Sequence, residues 1–209
     1  MVLQELKSLS ARGLRGPAPS FDEIHIARAL CLLHDNPPLG RIALSKSLGI
    51  GEGAARTLIK KLSSLGLLKI DAVGGCLLTE KGEALARRLR TLFPKNLQLN
   101  LPSLGIGQHG YAILVRRTIS EHRVIPIRDV AVRYGATGAL VIKYRRGRLE
   151  VPLVYNDLKE EYPSEAELIL SKLEPEDGDT IVIAFSDTTL KAEHAAWAAS
   201  LHAVEGGAI

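Results

Sequence analysis

The sequence predicts an α+β fold in two parts, and three observations predict it. Apolar residues recur at helical spacing from Asp22 to Leu65, then switch to a period of two around a glycine turn. Beyond residue 108, short apolar runs and helical stretches follow one another in the order β-α-β-β-α-β-α. Charge divides along the same line. Residues 1–93 hold 14 Lys and Arg against 8 Asp and Glu, a net of +6; residues 94–209 hold 13 against 15, a net of −2. The basic excess lies in the first part, which points to a polyanionic partner for that part alone.

The 209 residues, 46% hydrophobic and 24% charged, suit one large or two small globular domains and argue against disorder. No apolar run reaches the roughly 18–20 residues of a membrane helix. The opening MVLQELKSLSARG mixes charge into its apolar positions, so no secretory signal and a cytoplasmic location are expected. Cys31 and Cys76 lie far apart in apolar contexts and read as buried thiols of a reducing compartment.

In chain order, Leu3, Leu6 and Leu9 suggest an amphipathic helix that helps a dimer form, and GLRGPAPS (13–20) reads as a linker. Asp22 can cap a helix that runs to about His34 on Ile26, Ala27, Leu30 and Leu33, and Asn36-Pro37-Pro38 stops it. A second helix runs from about Gly40 to Leu48 and ends at Gly49; a third, about 52–65, turns Ala55, Leu58, Ile59 and Leu62 inward and ends at Gly66. LLKID (67–71) and CLLT (76–79) then form a hairpin, and Thr79 caps a fourth helix on Leu85, Leu89 and Leu92. The Pro- and Gly-containing stretch 94–108 reads as a connection. After it come strand YAILVRR, a short helix from Pro126 to Tyr134, strands GALVIKY and RLEVPLV joined at Arg146-Gly147, a helix over 160–173, strand DTIVIAFS, and an Ala-rich helix over 188–203. The expected boundaries are an arm at 1–20, domains at 21–93 and 109–209, and a linker at 94–108.

Helix, helix, turn, helix, hairpin, helix is the order of a winged helix-turn-helix. The packing of Leu44, Leu48, Ala55, Leu58 and Leu62 presents the outer face of the third helix to a DNA major groove. That face carries Glu52, Arg56, Thr57, Lys60, Lys61 and Ser64, with Arg41, Lys46 and Lys69 as flanking candidates. Arg56 and Lys60 share a stripe; arginine can fork to a guanine edge, and lysine more often meets phosphate. The bland alternative is a solvated basic face on an ordinary helical domain. Over GRIALSKSLGIGEGAARTLIKKLSSLGLLKIDAVGGCLLTEKGEAL, residues 21–92 resemble multiple-antibiotic-resistance-type winged-helix regulators. One departure is the wing, where Lys69 is the only base, so the resemblance shifts specificity onto the third helix.

The later elements are expected to form a ferredoxin-like βαββαβ sheet with an extra C-terminal helix. RDVAVRYGATGALVI followed by RRGRLEVPLV is similar to the C-terminal domain, of unassigned function, in an archaeal family of winged-helix proteins. That resemblance implies a transcriptional regulator and names no effector.

GIGQHG (105–110) matches G-x-G-x-x-G, but a loop precedes it and a strand follows, the reverse of a dinucleotide turn. It reads instead as a flexible loop entering the strand, or as a backbone nest for an anion around Gly107, His109 and Gly110. Ser186-Asp187-Thr188, at a strand-to-helix junction, could hold an anion, or Ser186 or Asp187 could simply cap the helix. Arg128, Asp129, Gly135 and Gly138 complete the ligand candidates. Cys31 and His34 lack a visible third metal ligand, and no catalytic constellation or cofactor motif is evident. The expected function is a regulator that binds double-stranded DNA as a homodimer, with a second domain that senses a small anionic effector, mediates dimerisation, or both. The alternatives are an enzyme acting on a nucleotide or phosphorylated metabolite, and an RNA-binding or transcription-machinery adaptor.

Overall fold

Local signals set the first unit. In the computed structural model, residues 2–10, 20–71 and 73–205 are described; the expected linker 13–20 therefore lies almost wholly outside them, as does Ala72 of the wing. The chain divides into two compact units, Met1–Thr91 and Leu92–Ile209.

In the first unit, helix α1 (Val2–Ser10) buries Leu3 and Leu6. Its packing is against α2 (Glu23–Asp35), and Glu5 pairs with Arg88 at 2.8 Å, so those leucines are used inside the unit. Asp22 caps α2 by accepting from the backbone N–H of Ile24 and His25. Strand β1 (Leu39–Gly40), too short to leave a periodic trace, precedes α3 (Arg41–Leu48). Gly49 closes α3 in the left-handed conformation at φ 70°. Helix α4 (Glu52–Ser64) buries Ala55, Leu58, Ile59 and Leu62. The hairpin of β2 (Leu68–Ile70) and β3 (Gly75–Leu78) takes β1 on its other side, with sheet order β1-β3-β2, all antiparallel. Helix α5 (Glu80–Leu92) starts where Thr79 Oγ1 accepts from the Gly82 N–H. Gly82 is required there, because a Cβ would overlap the Leu67 carbonyl oxygen.

The second unit departs from expectation in its sheet. Residues 94–108, read as a connection, supply edge strand β4 (Asn96–Gln98), which pairs antiparallel with β5 (His109–Val115). The alternation Leu97, Leu99, Leu101 carries that signal, with Leu99 and Leu101 buried. After α6 (Val124–Arg133) come β6 (Gly138–Arg145) and β7 (Arg148–Glu150). The expected strand RLEVPLV stops at Glu150, since Pro152 cannot donate to a ladder and the chain turns back through a Val151–Tyr155 bridge. The expected helix over 160–173 is two, α7 (Leu158–Glu161) and α8 (Pro163–Leu173), broken where Pro163 starts a new first turn. Strand β8 (Thr180–Ser186) and α9 (Thr189–Val204) follow.

The sheet order is β4-β5-β8-β6-β7, entirely antiparallel. The expected ferredoxin-like arrangement is thus corrected. There the hairpin's second strand would sit between the two strands of the βαβ unit; here β8 takes that place and β7 is pushed to the edge. Burial explains the exchange. All seven residues of β8 are buried, so both its faces need cover, which a central position provides. One face packs Ile181, Ile183 and Phe185 against Leu158, Ala166, Ile169 and Leu173 of α7 and α8. On the opposite face α9, whose buried stripe is largely alanine, lies against β5 and β8, and α6 lies against β6. Helices therefore cover both faces of the sheet.

Candidate nucleic-acid interface

The helix-turn-helix is held by polar groups as well as by leucines. Arg28 on α2 is 1% exposed, and its guanidinium donates to the Ser47 carbonyl at 2.8 Å and the Leu48 carbonyl at 3.3 Å. A buried cation thus caps the C-terminal end of α3, where carbonyls lack helical partners and the dipole is negative. Ser45 Oγ donates to the Ile50 carbonyl at 2.6 Å across the turn, and Ser63 Oγ donates to the Leu68 carbonyl at 2.9 Å, tying α4 to the wing. Sequence reading missed Arg28; its position beside Ala27 and Cys31 on the buried face of α2 was the available signal.

That frame fixes which side chains α4 presents. Arg56 and Lys60 are exposed, one turn apart, on the side opposite Ala55, Leu58 and Leu62. Neither has an ion-pair partner among the described residues. Glu52 on the same stripe lies 3.6 Å from Arg41, so these two candidates offset one another. Thr57 Oγ1 donates to the Gly53 carbonyl at 3.0 Å and Ser64 Oγ to the Lys61 carbonyl at 2.8 Å, which leaves both hydroxyls as acceptors. Lys46 is exposed on α3 and Lys61 is half-buried on α4. The wing is built by Asp71, whose Oδ1 accepts from Val73 N–H at 2.9 Å and Gly75 N–H at 2.7 Å. Its tip residue Val73 is 95% exposed and apolar, and Lys69 is exposed on β2. Among the candidates of the first unit, Arg56 and Lys60 thus form an exposed cationic stripe without an ion-pair partner among the described residues, which suits base edges and phosphates.

In the second unit the ligand candidates separate into two groups. His109 pairs in register with Ser186, and Gly138 with Phe185, so the starts of β5 and β6 meet the end of β8. Gly107, Gly110, Gly135 and Thr188 belong to this end. Three of its glycines serve close packing: a Cβ on Gly107 would press on Thr137 Oγ1 and Phe185, one on Gly110 on the Leu99 carbonyl, and one on Gly138 on Ile106, whereas Gly135 has open space and a φ of 94°. Ser186 Oγ donates to the Gly135 carbonyl at 2.8 Å, and Lys191 binds Asp187 at 2.8 Å. Hydrogen bonds to its carboxylate, from Lys191 first and from Ser186 Oγ at 3.1 Å second, hold Asp187 below its ordinary range. The cap of α9 is Thr188, which accepts from the Lys191 N–H, rather than Ser186 or Asp187. Nδ1 of His109 lies 3.5 Å from Thr189 Oγ1. Arg128 and Asp129 stand on the exposed face of α6, where Arg128 Nε donates to the Ala139 carbonyl at 3.1 Å. Cys31 is buried and its thiol is pushed up to about 12, chiefly by burial; His34 Nδ1 faces Glu83 at 2.8 Å.

Comparison with known proteins bears on both units. A family model described as PH0730-like, N-terminal domain, matches residues 26–84, and one described as Domain of unknown function (DUF4443) matches residues 106–204. The hypothetical protein PH0730 from Pyrococcus horikoshii OT3 superposes with a TM-score of 0.73 at 30% identity, over 88% of this chain and 93% of that one. The chain belongs to the PH0730-like family. The PH0730-like N-terminal match contains all of α3, α4 and the wing, and the second match runs from the Gly107 loop to the end of α9. A MarR family protein of Mycobacterium tuberculosis aligns at 21% identity over 43% of this chain and 63% of its own, with a TM-score of 0.31, too low for structural equivalence. No curated protein matches the chain. No described helix is long and apolar enough to cross a membrane.

Proposed function

We propose that this PH0730-like protein is a transcriptional regulator that binds double-stranded DNA through α4 of its winged helix. The observation that carries the reading is the exposed Arg56–Lys60 stripe, set on a helix whose opposite face is locked into the core and whose turn is pinned by Arg28 and Ser45. A helix that presents an arginine and a lysine four residues apart, neither with an ion-pair partner among the described residues, is suited to a major groove. The acidic Glu52 does not oppose this, because Arg41 offsets it. The wing contributes less, its tip being apolar, so base readout falls on Arg56 and neighbouring phosphates on Lys60 and Lys46. The second unit mediates dimerisation, senses a small anionic effector, or both, the effector site being the sheet end around His109 and Thr188.

Selection of bound fragments from genomic DNA with the purified full-length protein tests the reading. A recurrent palindrome with half-sites about one helical turn apart supports a dimeric reader. Arg56→Ala should weaken the selected site by roughly 1–3 kcal/mol and relax one base position. Recovery of no enriched sequence, with no low-salt affinity for any duplex, removes the proposal.

A further inference from the structure

Helix α6 has an exposed face of mixed apolar and charged side chains. Its inward stripe is Val124, Ile127, Val130 and Ala131. On its other side Ile125 and Val132 are each 52% exposed, two turns apart on one line, with exposed Arg128 and Asp129 between them. Together they give the solvent face of this helix a short line of apolar, charged, apolar residues in addition to its core stripe.

The arrangement of these four residues identifies what covers them. The pair 125/132 and the pair 128/129 are both centred on the point between residues 128 and 129. A two-fold axis through that point, relating two antiparallel α6 helices, sets Ile125 against Val132 of the second copy and Arg128 against Asp129 of the second copy, each contact made twice. Apolar side chains then meet apolar ones, and each charge meets its opposite. Parallel pairing would oppose Arg128 to Arg128 and Asp129 to Asp129. Arg128 is braced for this, since its Nε is held by the Ala139 carbonyl while neither terminal nitrogen has a partner among the described residues. Asp129 likewise has no ion-pair partner among them.

We propose that the outer face of α6 is the surface on which two copies of this chain associate, antiparallel and two-fold. It gives the dimeric reader a specific interface, and for that use it rests on the regulator reading. One helix pair of ten residues covers less than the roughly 800 Å² per partner of a standard stable interface. Self-association is therefore weak, of order micromolar, and a duplex with two half-sites strengthens it by raising effective concentration.

The test is sedimentation equilibrium of the full-length protein and charge-swap variants. Asp129→Arg and Arg128→Asp should each weaken self-association by about tenfold or more, and the double variant R128D/D129R should restore it. Because Arg128→Asp also loses the Ala139 hydrogen bond, circular dichroism confirms the fold of each variant, and Asp129→Arg is the cleaner single change. In a second arm, Ile125→Cys and Val132→Cys chains are mixed and mildly oxidised. A disulfide-linked heterodimer is expected from the mixture and not from either chain alone, since identical positions lie about 10 Å apart along the axis, beyond disulfide reach. The native thiols Cys31 and Cys76 are buried and do not compete. A monomer at the highest soluble concentration, no rescue by the double variant, or homodimer cross-links in the single variants would each overturn the proposal. If the swap pattern holds while no duplex is bound, the α6 interface stands and the regulator reading falls. If duplexes are bound and the α6 variants associate like wild type, the reverse follows.

Discussion

Arg28→Met should lower the stability of the helix-turn-helix by about 2–3 kcal/mol. The guanidinium is buried and spans two carbonyls at the end of α3, at 2.8 and 3.3 Å. A hydrogen bond from a charged donor contributes about 1.5–3 kcal/mol, with the longer of these two at the low end, so the pair contributes roughly 3–4 kcal/mol. Methionine keeps the apolar stem and removes the donors. It also removes the cost of keeping a guanidinium out of water, which returns of order 1 kcal/mol. For a unit of this size each kcal/mol moves the unfolding midpoint by about 4–8 °C, so a drop of about 10–20 °C is expected in the transition of the first unit. Thermal unfolding of the full-length protein followed by circular dichroism reads it. Arg28→Lys, which keeps the charge but loses the two-pronged guanidinium, should fall between. A methionine variant melting within about 2 °C of wild type would refute the reasoning, because those carbonyls would then have to be satisfied without Arg28.

Three further outcomes follow from the same structure. Gly82→Ala forces α5 away from the Leu67 carbonyl and should cost about 2–3 kcal/mol by denaturant titration, although alanine ordinarily favours a helix. Burial, and then the nearby Arg123, hold His202 below its ordinary value of 6.5. The unfolded chain therefore takes up the proton first as pH falls, so this contribution to stability is complete above 6.5 and is lost below it. His202→Gln should flatten that part of a melting-versus-pH curve. The Cys31 thiol, buried and pushed up to about 12, should resist alkylation at pH 8 in the folded protein and react on unfolding, as mass spectrometry would show.

The helices and hairpin of the first unit were legible because their boundaries are local, while the two-residue β1 was not. Asp22 caps, Gly49 and Gly66 adopt left-handed turns, and the leucine stripes declare which faces turn inward. The exposed stripe of α4 followed from that period alone. What periodicity could not show was pairing: Arg41 with Glu52, and the hydroxyls of Thr57 and Ser64 turned back on their own helix, depend on rotamers. In the second unit the strands were legible and their order was not. A seven-residue buried run such as β8 announces burial without saying which neighbours provide it. Residues 94–108 read as a connection from their Pro and Gly, yet the leucine alternation 97, 99, 101 marks the place of β4. GIGQHG was a question of local order: Gly107 and Gly110 sit where Phe185 and the Leu99 carbonyl come too close for a side chain, while Gly105 takes a left-handed turn at φ 64°.

The central claim is that α4 reads duplex DNA, and the most direct measurement is the duplex affinity of the full-length protein across a salt series, for wild type, Lys60→Ala and Arg56→Ala. Log K should fall linearly with log salt, with a slope of about −0.9 per phosphate contacted. Lys60→Ala should reduce that slope by about one for every site alike, whereas Arg56→Ala should lower affinity chiefly for the selected site. A protein without duplex affinity at low salt, or one whose affinity and slope survive both substitutions unchanged, would contradict it.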